Sequence, residues 1–202
     1  MDNNRSYNIG MIKIPSFYLN FEEAQKGVQN YKSVTRDVRK CIDSLKNLSV
    51  DGIIIDLRNN GGGSLQEAID LTGLFIESGP VVQIKSSSGR IEIEKDFDKR
   101  IHYDGPLLLL NNSFTASSSE IFSGALKDYN RGLIVGESTF GKGTVQNLLD
   151  LDRFFPKASL KLGQLKITLA KYYRVNGGST QKIGVEPHIE FPNIYDRDIY
   201  TE

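Results

Sequence analysis

Apolar residues recur along the chain in two spacings. Short unbroken runs, Gly52 to Ile55, Leu107 to Leu110 and Leu133 to Val135, have the length and composition of strands buried on both faces. Tyr7 to Pro15 alternates instead and reads as a strand that ends at the proline. Longer stretches carry apolar residues every three or four positions, the period of a helix with one inward face. From Ser33 to Asn47 the inward set is Val34, Val38, Cys41, Ile42 and Leu45, with Ser33 as N-cap and Cys41 expected to pack inside. Ser64 and Glu67 have capping-box spacing ahead of Leu65, Ile69 and Leu71 or Thr72. A third helix, from Ala116 to Asn130, turns Ile121, Phe122, Ala125, Leu126 and Tyr129 inward. Residues 79–95 read as a hairpin around Ser86 to Gly89, and Leu165 onward as a late strand ending in the turn Asn176-Gly177-Gly178. The polar stretch from Asn20 to Asn30 reads as a loop.

Strand and helix therefore alternate through the middle of the chain. That order needs crossover connections, which give a parallel sheet and an α/β fold. In such folds the chemistry gathers beyond the carboxyl ends of the strands. Three stretches stand there: Arg58 to Gly63, Asn111 to Glu120 and Gly136 to Gly143.

The whole is 202 residues long, the size of one domain, with 25 basic and 25 acidic side chains and no net charge. A neutral balance supplies no electrostatic case for nucleic acid or an anionic membrane surface. No apolar run approaches the roughly 20 residues of a membrane span. The polar opening MDNNRSYNIG lacks the pattern of a signal peptide. One cysteine, Cys41, rules out an internal disulfide.

Gly136, Gly141 and Lys142 match most of the phosphate-binding pattern G-x-x-x-x-G-K-[ST]. Gly143 stands where the magnesium-binding hydroxyl belongs, Thr144 comes one residue late, and the following residues alternate rather than forming an amphipathic helix. A nucleotide site is thus one reading of this loop, and a glycine-rich turn with a solvated lysine is another. Ser117, in S-x-x-E spacing with Glu120, is a natural helix cap. The same position would set its hydroxyl among free N–H groups at the positive end of a helix, where an oxyanion is stabilised. A nucleophilic serine needs a base. The two histidines, His102 and His188, lie beside no carboxylate motif and read as structural or surface residues. Lys142 can serve if burial lowers its pKa. Spacing alone does not show that Ser117 meets Lys142.

Four stretches, GIIIDLRNNGGGSLQEAIDLTGLFI, FTASSSEIFSGALKDY, VGESTFGKGTVQ and YYRVNGGSTQKIGVEP, in this order and at these separations, resemble the C-terminal processing (tail-specific) peptidases. The likeness runs from about Ile9 to Pro192. It implies a crotonase-like layered α/β core with mainly parallel buried strands and crossover helices. It implies a serine peptidase that needs no metal or other cofactor, with Ser117 as nucleophile, Lys142 as general base and Gln146 orienting the lysine. The backbone N–H groups of Gly63 and Ser118 would form the oxyanion hole. Asp128 occupies a position that the motif carries and reads as a structural residue at a helix end. The resemblance further implies polypeptide substrates, unfolded or with apolar C-termini, and a periplasmic or cell-envelope setting. Residues 1–202 are expected to be a single catalytic domain, a fragment without the family's PDZ domain and signal sequence, so that the PDZ domain of the full-length chain becomes a partner. His188 replaces the usual Asp of GV-x-P-D-I, and Ser118 the usual alanine, whose backbone N–H it retains. A catalytically idle peptide-binding scaffold of the same fold remains the other reading. One spacing stands against the dyad: on a straight strand Lys142 and Gln146 would be roughly 13 Å apart, so a bend is expected at Gly143.

Overall fold

The computed structural model describes residues 6–155 and 160–192. Strand β1 (Ile9–Lys13) is followed by a short helix α1 (Phe21–Gln25), helix α2 (Val34–Asn47), β2 (Gly52–Asp56) and α3 (Leu65–Gly73). A hairpin, β3 (Gly79–Ser86) and β4 (Ile91–Asp96), precedes β5 (Leu107–Asn111), α4 (Ser118–Asp128) and β6 (Leu133–Gly136). Then come β7 (Thr144–Asp150), β8 (Gln164–Tyr173) and β9 (Ile189–Glu190). These strands form two sheets. One is parallel, in the order β1-β2-β5-β6-β9, and the other antiparallel, in the order β4-β3-β8-β7. The α/β architecture and its parallel strands agree with the hydrophobic runs. The junction of the hairpin and the late strands into one second sheet lies beyond local pattern, because β3 and β8 are far apart in sequence.

Ile53, Ile55, Leu109 and Ile134 point from the parallel sheet into a core shared with Val38, Ile42, Leu71, Phe122 and Leu126 of the helices. Phe122 lies 6.0 Å from Phe17 and 5.9 Å from Phe75, ring centre to ring centre, as tilted aromatic pairs do. The other sheet face sets Met11, Ile54, Leu108 and Leu133 side by side in register and stays only partly covered. No helix among the described residues is long and apolar enough to cross a membrane.

Three local expectations change. The stretch expected to be a loop contains α1, capped by Asn20, whose side chain accepts the Glu23 N–H (3.2 Å). This helix buries no residue, so it has no apolar stripe to read. Cys41 is exposed rather than packed. Thr35 takes the inward place instead, because α3 lies on that side: the Glu67 carboxylate accepts the Thr35 N–H (2.7 Å) and the Ser33 hydroxyl (2.9 Å). That contact also halves the box expected at α3. Ser64 does accept the Glu67 N–H (3.3 Å), but the Glu67 carboxylate caps α2 instead of its own helix.

Asp128 closes α4 and ties it to the second sheet. Its carboxylate accepts from Arg174 Nε (3.2 Å) and Nη2 and from Asn176 Nδ2 (2.9 Å), just past β8. Both charged side chains are largely buried, at 16% and 8% exposure for Arg174 and Asp128. Removing one partner strands the other charge away from water. Asp128→Ala is expected to cost roughly 3 kcal/mol of unfolding free energy, read from the midpoint of urea denaturation. A loss below about 0.5 kcal/mol, the scale of an exposed pair, would remove Asp128 from its structural role.

Candidate active site

Ser117 caps α4 at φ 59° and ψ −118°. A non-glycine residue at positive φ is strained, so neighbouring contacts must hold it there. Three do so from the preceding loops. Ala116 N–H donates to the Asn60 carbonyl (2.9 Å), Ser119 Oγ donates to the same carbonyl (3.1 Å), and Thr115 Oγ1 donates to the Leu57 carbonyl (2.9 Å). Ser117's own N–H donates to Glu120 Oε2 (2.8 Å). Thus the Glu120 half of the expected capping box forms. The Glu120 N–H meets the Ser117 backbone carbonyl (2.8 Å).

The Glu120 carboxylate reaches further. Its Oε1 accepts from Thr139 Oγ1 (2.6 Å) and Gly141 N (2.8 Å), and its Oε2 also accepts from Lys142 N (3.0 Å). One fully buried carboxylate therefore holds the backbone of both Ser117 and Lys142. From the other side, the hydroxyl of buried Tyr172 donates to the Lys142 carbonyl and lies 3.3 Å from the Ser117 carbonyl. Burial pushes the Glu120 carboxyl up to about 7, against the pull of its hydrogen-bond donors.

Lys142 Nζ donates to Gln146 Oε1 (3.2 Å). The straight-strand separation does not apply, because Lys142 precedes β7 and the β7–β8 register shifts between Val145 and Gln146. The positive φ in this turn belongs to Gly141 (94°) rather than Gly143. Gly143 instead passes close to Gln181: a Cβ there would lie 2.9 Å from the Gln181 nitrogen.

Gly63, Ser117, Ser118, Lys142, Gln146 and Tyr172 line one cavity of about 500 Å³. Gly63 has φ 147°, and a Cβ there would stand 2.3 Å from the Phe17 carbonyl oxygen. Only glycine lets the loop pass so close to the Phe17 backbone, with which it forms an isolated bridge. Ser118 Oγ donates to the Gly63 carbonyl (2.9 Å), which joins the two residues. Their N–H groups donate to no other backbone group among the described residues. Ser119 is buried against Asn60, away from this cavity.

Neither histidine lines the cavity. His102 Nε2 lies 2.9 Å from Asp43 Oδ1 of α2, and His188 Nδ1 accepts the Ile134 N–H (3.0 Å). The phosphate-loop pattern at Gly136 to Lys142 runs into strand β7. The nucleotide reading is corrected on this point, since the phosphate pattern needs the loop to open a helix of its own and here a strand follows it. The clamp by Glu120 and Tyr172 was beyond local reading. Glu120 had a sufficient role as a cap, and Tyr172 is one more position in an alternating strand.

Residues 8–191 match the family described as peptidase family S41. The chain is 46% identical over 195 residues to a tail-specific protease of Haemophilus influenzae, covering 96% of this chain and 26% of that protein. It is 34% identical over 194 residues to carboxyl-terminal-processing peptidase 2, chloroplastic, of Arabidopsis thaliana, covering 96% of this chain and 34% of that protein. Among solved structures it is similar to the photosystem II D1 C-terminal processing protease, with a TM-score of 0.72 and 32% identity, over 91% of this chain and 42% of that one. The chain thus spans between about a quarter and two fifths of the length of these relatives.

A carboxyl whose folded value lies near 7 rather than the ordinary 4.5 binds its proton more tightly in the folded protein. Its contribution to stability is complete below about 4.5 and is lost as pH rises through about 7. Relative to Glu120→Gln, the wild-type unfolding free energy is expected to fall by about 3 kcal/mol across that window. Denaturation at successive pH values measures it, and a difference that stays level would show that Glu120 is not perturbed.

Proposed function

The chain belongs to peptidase family S41, and from that premise we propose that it hydrolyses polypeptides with Ser117 as nucleophile and Lys142 as general base. The observation that carries the proposal is the clamp: Glu120 takes the N–H groups of both residues and so holds two distant loops at one cavity. In the proposed reaction Ser117 Oγ bonds to the scissile carbonyl carbon while its proton passes to Lys142 Nζ. The carbonyl oxygen becomes an oxyanion, received by the N–H groups of Gly63 and Ser118. Collapse breaks the C–N bond, and Lys142 returns its proton to the leaving amine. Water then attacks the acyl-enzyme with Lys142 again as base, releasing the acid and restoring Ser117. Gln146 accepts from Nζ and orients the amine toward Ser117. These steps need neither metal nor nucleotide.

The substrate is proposed to lie extended along β7. That strand ends its sheet, and Thr144 to Asn147 line the cavity. Main-chain pairing to an edge strand accepts many sequences. Leu65, Ile121 and Val145 supply apolar walls, which suits the unfolded or apolar-ended chains that the family resemblance implies. A PDZ domain supplied by the complete protein as partner, and a periplasmic or cell-envelope setting, complete the reading.

Incubation of an unfolded polypeptide with an apolar C-terminus, followed by mass spectrometry, tests it. Wild type is expected to cleave, and Ser117→Ala and Lys142→Ala each to lose roughly a thousandfold or more. Gln146→Ala should lose about tenfold, mainly in kcat, because it misorients rather than removes a reacting group. Cleavage that persists in Ser117→Ala would refute the nucleophile. Binding of the polypeptide with no cleavage by any variant would favour the idle scaffold.

A further inference from the structure

All five strands of the parallel sheet end at a second cavity, of about 340 Å³. Lys13 comes from the end of β1, Asp56 from β2, Asn111 from β5, Glu137 from just past β6, and Phe191 from just past β9. The strand order runs in one direction without a reversal, so the charged lining rather than the topology marks this cavity, whose volume suits a small ligand. None of its residues lines the cavity that holds Ser117.

The polar groups of this cavity are unevenly satisfied. Arg58 commits Nε and Nη2 to Asp56, at 2.9 Å and 2.8 Å, leaving its Nη1 edge for another acceptor. Asn111 is 1% exposed and turns its side chain inward, where its Oδ1 accepts from Ser123 Oγ of α4 (3.3 Å), so only its backbone borders the cavity. Lys13 and Glu137 form no ion pair among the described residues. Glu137 Oε2 accepts the Ser113 N–H (2.9 Å), and no hydrogen bond engages its Oε1 among the described residues. Donors at Lys13 and Arg58 call for an anionic acceptor. The Glu137 carboxylate calls for a cation, and Phe191 and Pro192 add an apolar wall. An isolated anion would meet Glu137 unfavourably, whereas a molecule with a carboxylate at one end and an ammonium at the other satisfies both signs.

We propose that this cavity binds a short zwitterionic peptide, with its carboxylate toward Lys13 and Arg58 and its ammonium toward Glu137. Identifying that peptide as a product of the enzyme rests on the proposed hydrolysis; the binding does not. The walls of the cavity are the near ends of the three loops that carry Gly63, Ser117 and Lys142. Asn59 and Asn112 exchange hydrogen bonds across it (Asn59 N to Asn112 Oδ1 and Asn112 Nδ2 to Asn59 Oδ1, both 2.9 Å). Glu137 N donates to the Asn111 carbonyl (3.1 Å) beside the Ser113–Glu137 contact. A ligand seated there orders these cross-links and is felt at Ser117 through the backbone.

The test is an amide-resolved NMR titration of the Ser117→Ala protein, which leaves the peptide uncut, with alanyl-phenylalanine. Its N-acetylated and C-amidated forms serve as controls. Saturable shifts are expected at Lys13, Arg58, Asn111 and Glu137, and through the loops at Gly63 and Ser118. Blocking either terminus, or adding Lys13→Met or Glu137→Gln, should weaken binding about tenfold each, the worth of one charge-assisted contact. Adding Lys142→Met should not. Glutamine at 137 can still accept the Ser113 N–H, so that variant keeps the fold while losing the charge. Unchanged affinity in Lys13→Met and Glu137→Gln, shifts confined to the Lys142 cavity, or no saturable binding would each overturn the proposal. All of these readouts are independent of whether the wild type cleaves any substrate.

Discussion

The site depends on a single buried carboxylate. Glu120 accepts hydrogen bonds from Ser117 N, Thr139 Oγ1, Gly141 N and Lys142 N. Burying an acidic group is costly unless donors replace the water it gives up. Here the four donors come from α4's own cap and from the loop after β6, so satisfying Glu120 brings those two segments together. The strained backbone of Ser117 is tolerated for the same reason: its N–H has a strong acceptor, and the contacts of Thr115, Ala116 and Ser119 hold the chain on either side. Tyr172 completes the restraint on the carbonyl side and recruits β8, so the second sheet takes part in positioning although it supplies neither Ser117 nor Lys142.

Both sheets contribute to this arrangement. The parallel sheet delivers its loops to one end, where they can meet, as in other open α/β folds. The antiparallel sheet contributes an edge strand, β7, along the cavity, and its second strand, β8, carries the Tyr172 clamp. Asp128 and Arg174 pin the two layers at the far end of α4. The helix thus has Ser117 at one end and the interlayer anchor at the other, and a displacement of the second sheet would be felt along it. The three loops also border two cavities, one with Ser117 and Lys142 and one with Lys13 and Glu137. Their cross-links are hydrogen bonds between short polar side chains and backbone, which hold only over a narrow range of loop positions.

Much was legible in the sequence because it depends on neighbours within a turn or a strand. Unbroken apolar runs marked β2, β5 and β6, and helical spacing with N-cap serines marked α2, α3 and α4. The order of these elements implied a parallel sheet with chemistry at the Gly-rich and Ser-rich strand ends. The four motif stretches pointed to Ser117, Lys142, Gln146, Gly63 and Ser118 as one set. What the sequence alone left open were facts about pairs of residues far apart in the chain. Whether Glu67 caps its own helix or α2, whether Cys41 or Thr35 faces inward, and how Lys142 reaches Gln146 are decided by which element packs beside which, and by a register shift in a sheet that joins residues 79–86 to residues 164–173. Glu120 marks the boundary most clearly. Its spacing from Ser117 determined a local cap, but only the packed structure decided that the same carboxylate also holds Lys142, because hydrogen bonds between distant loops leave no periodic trace in the chain.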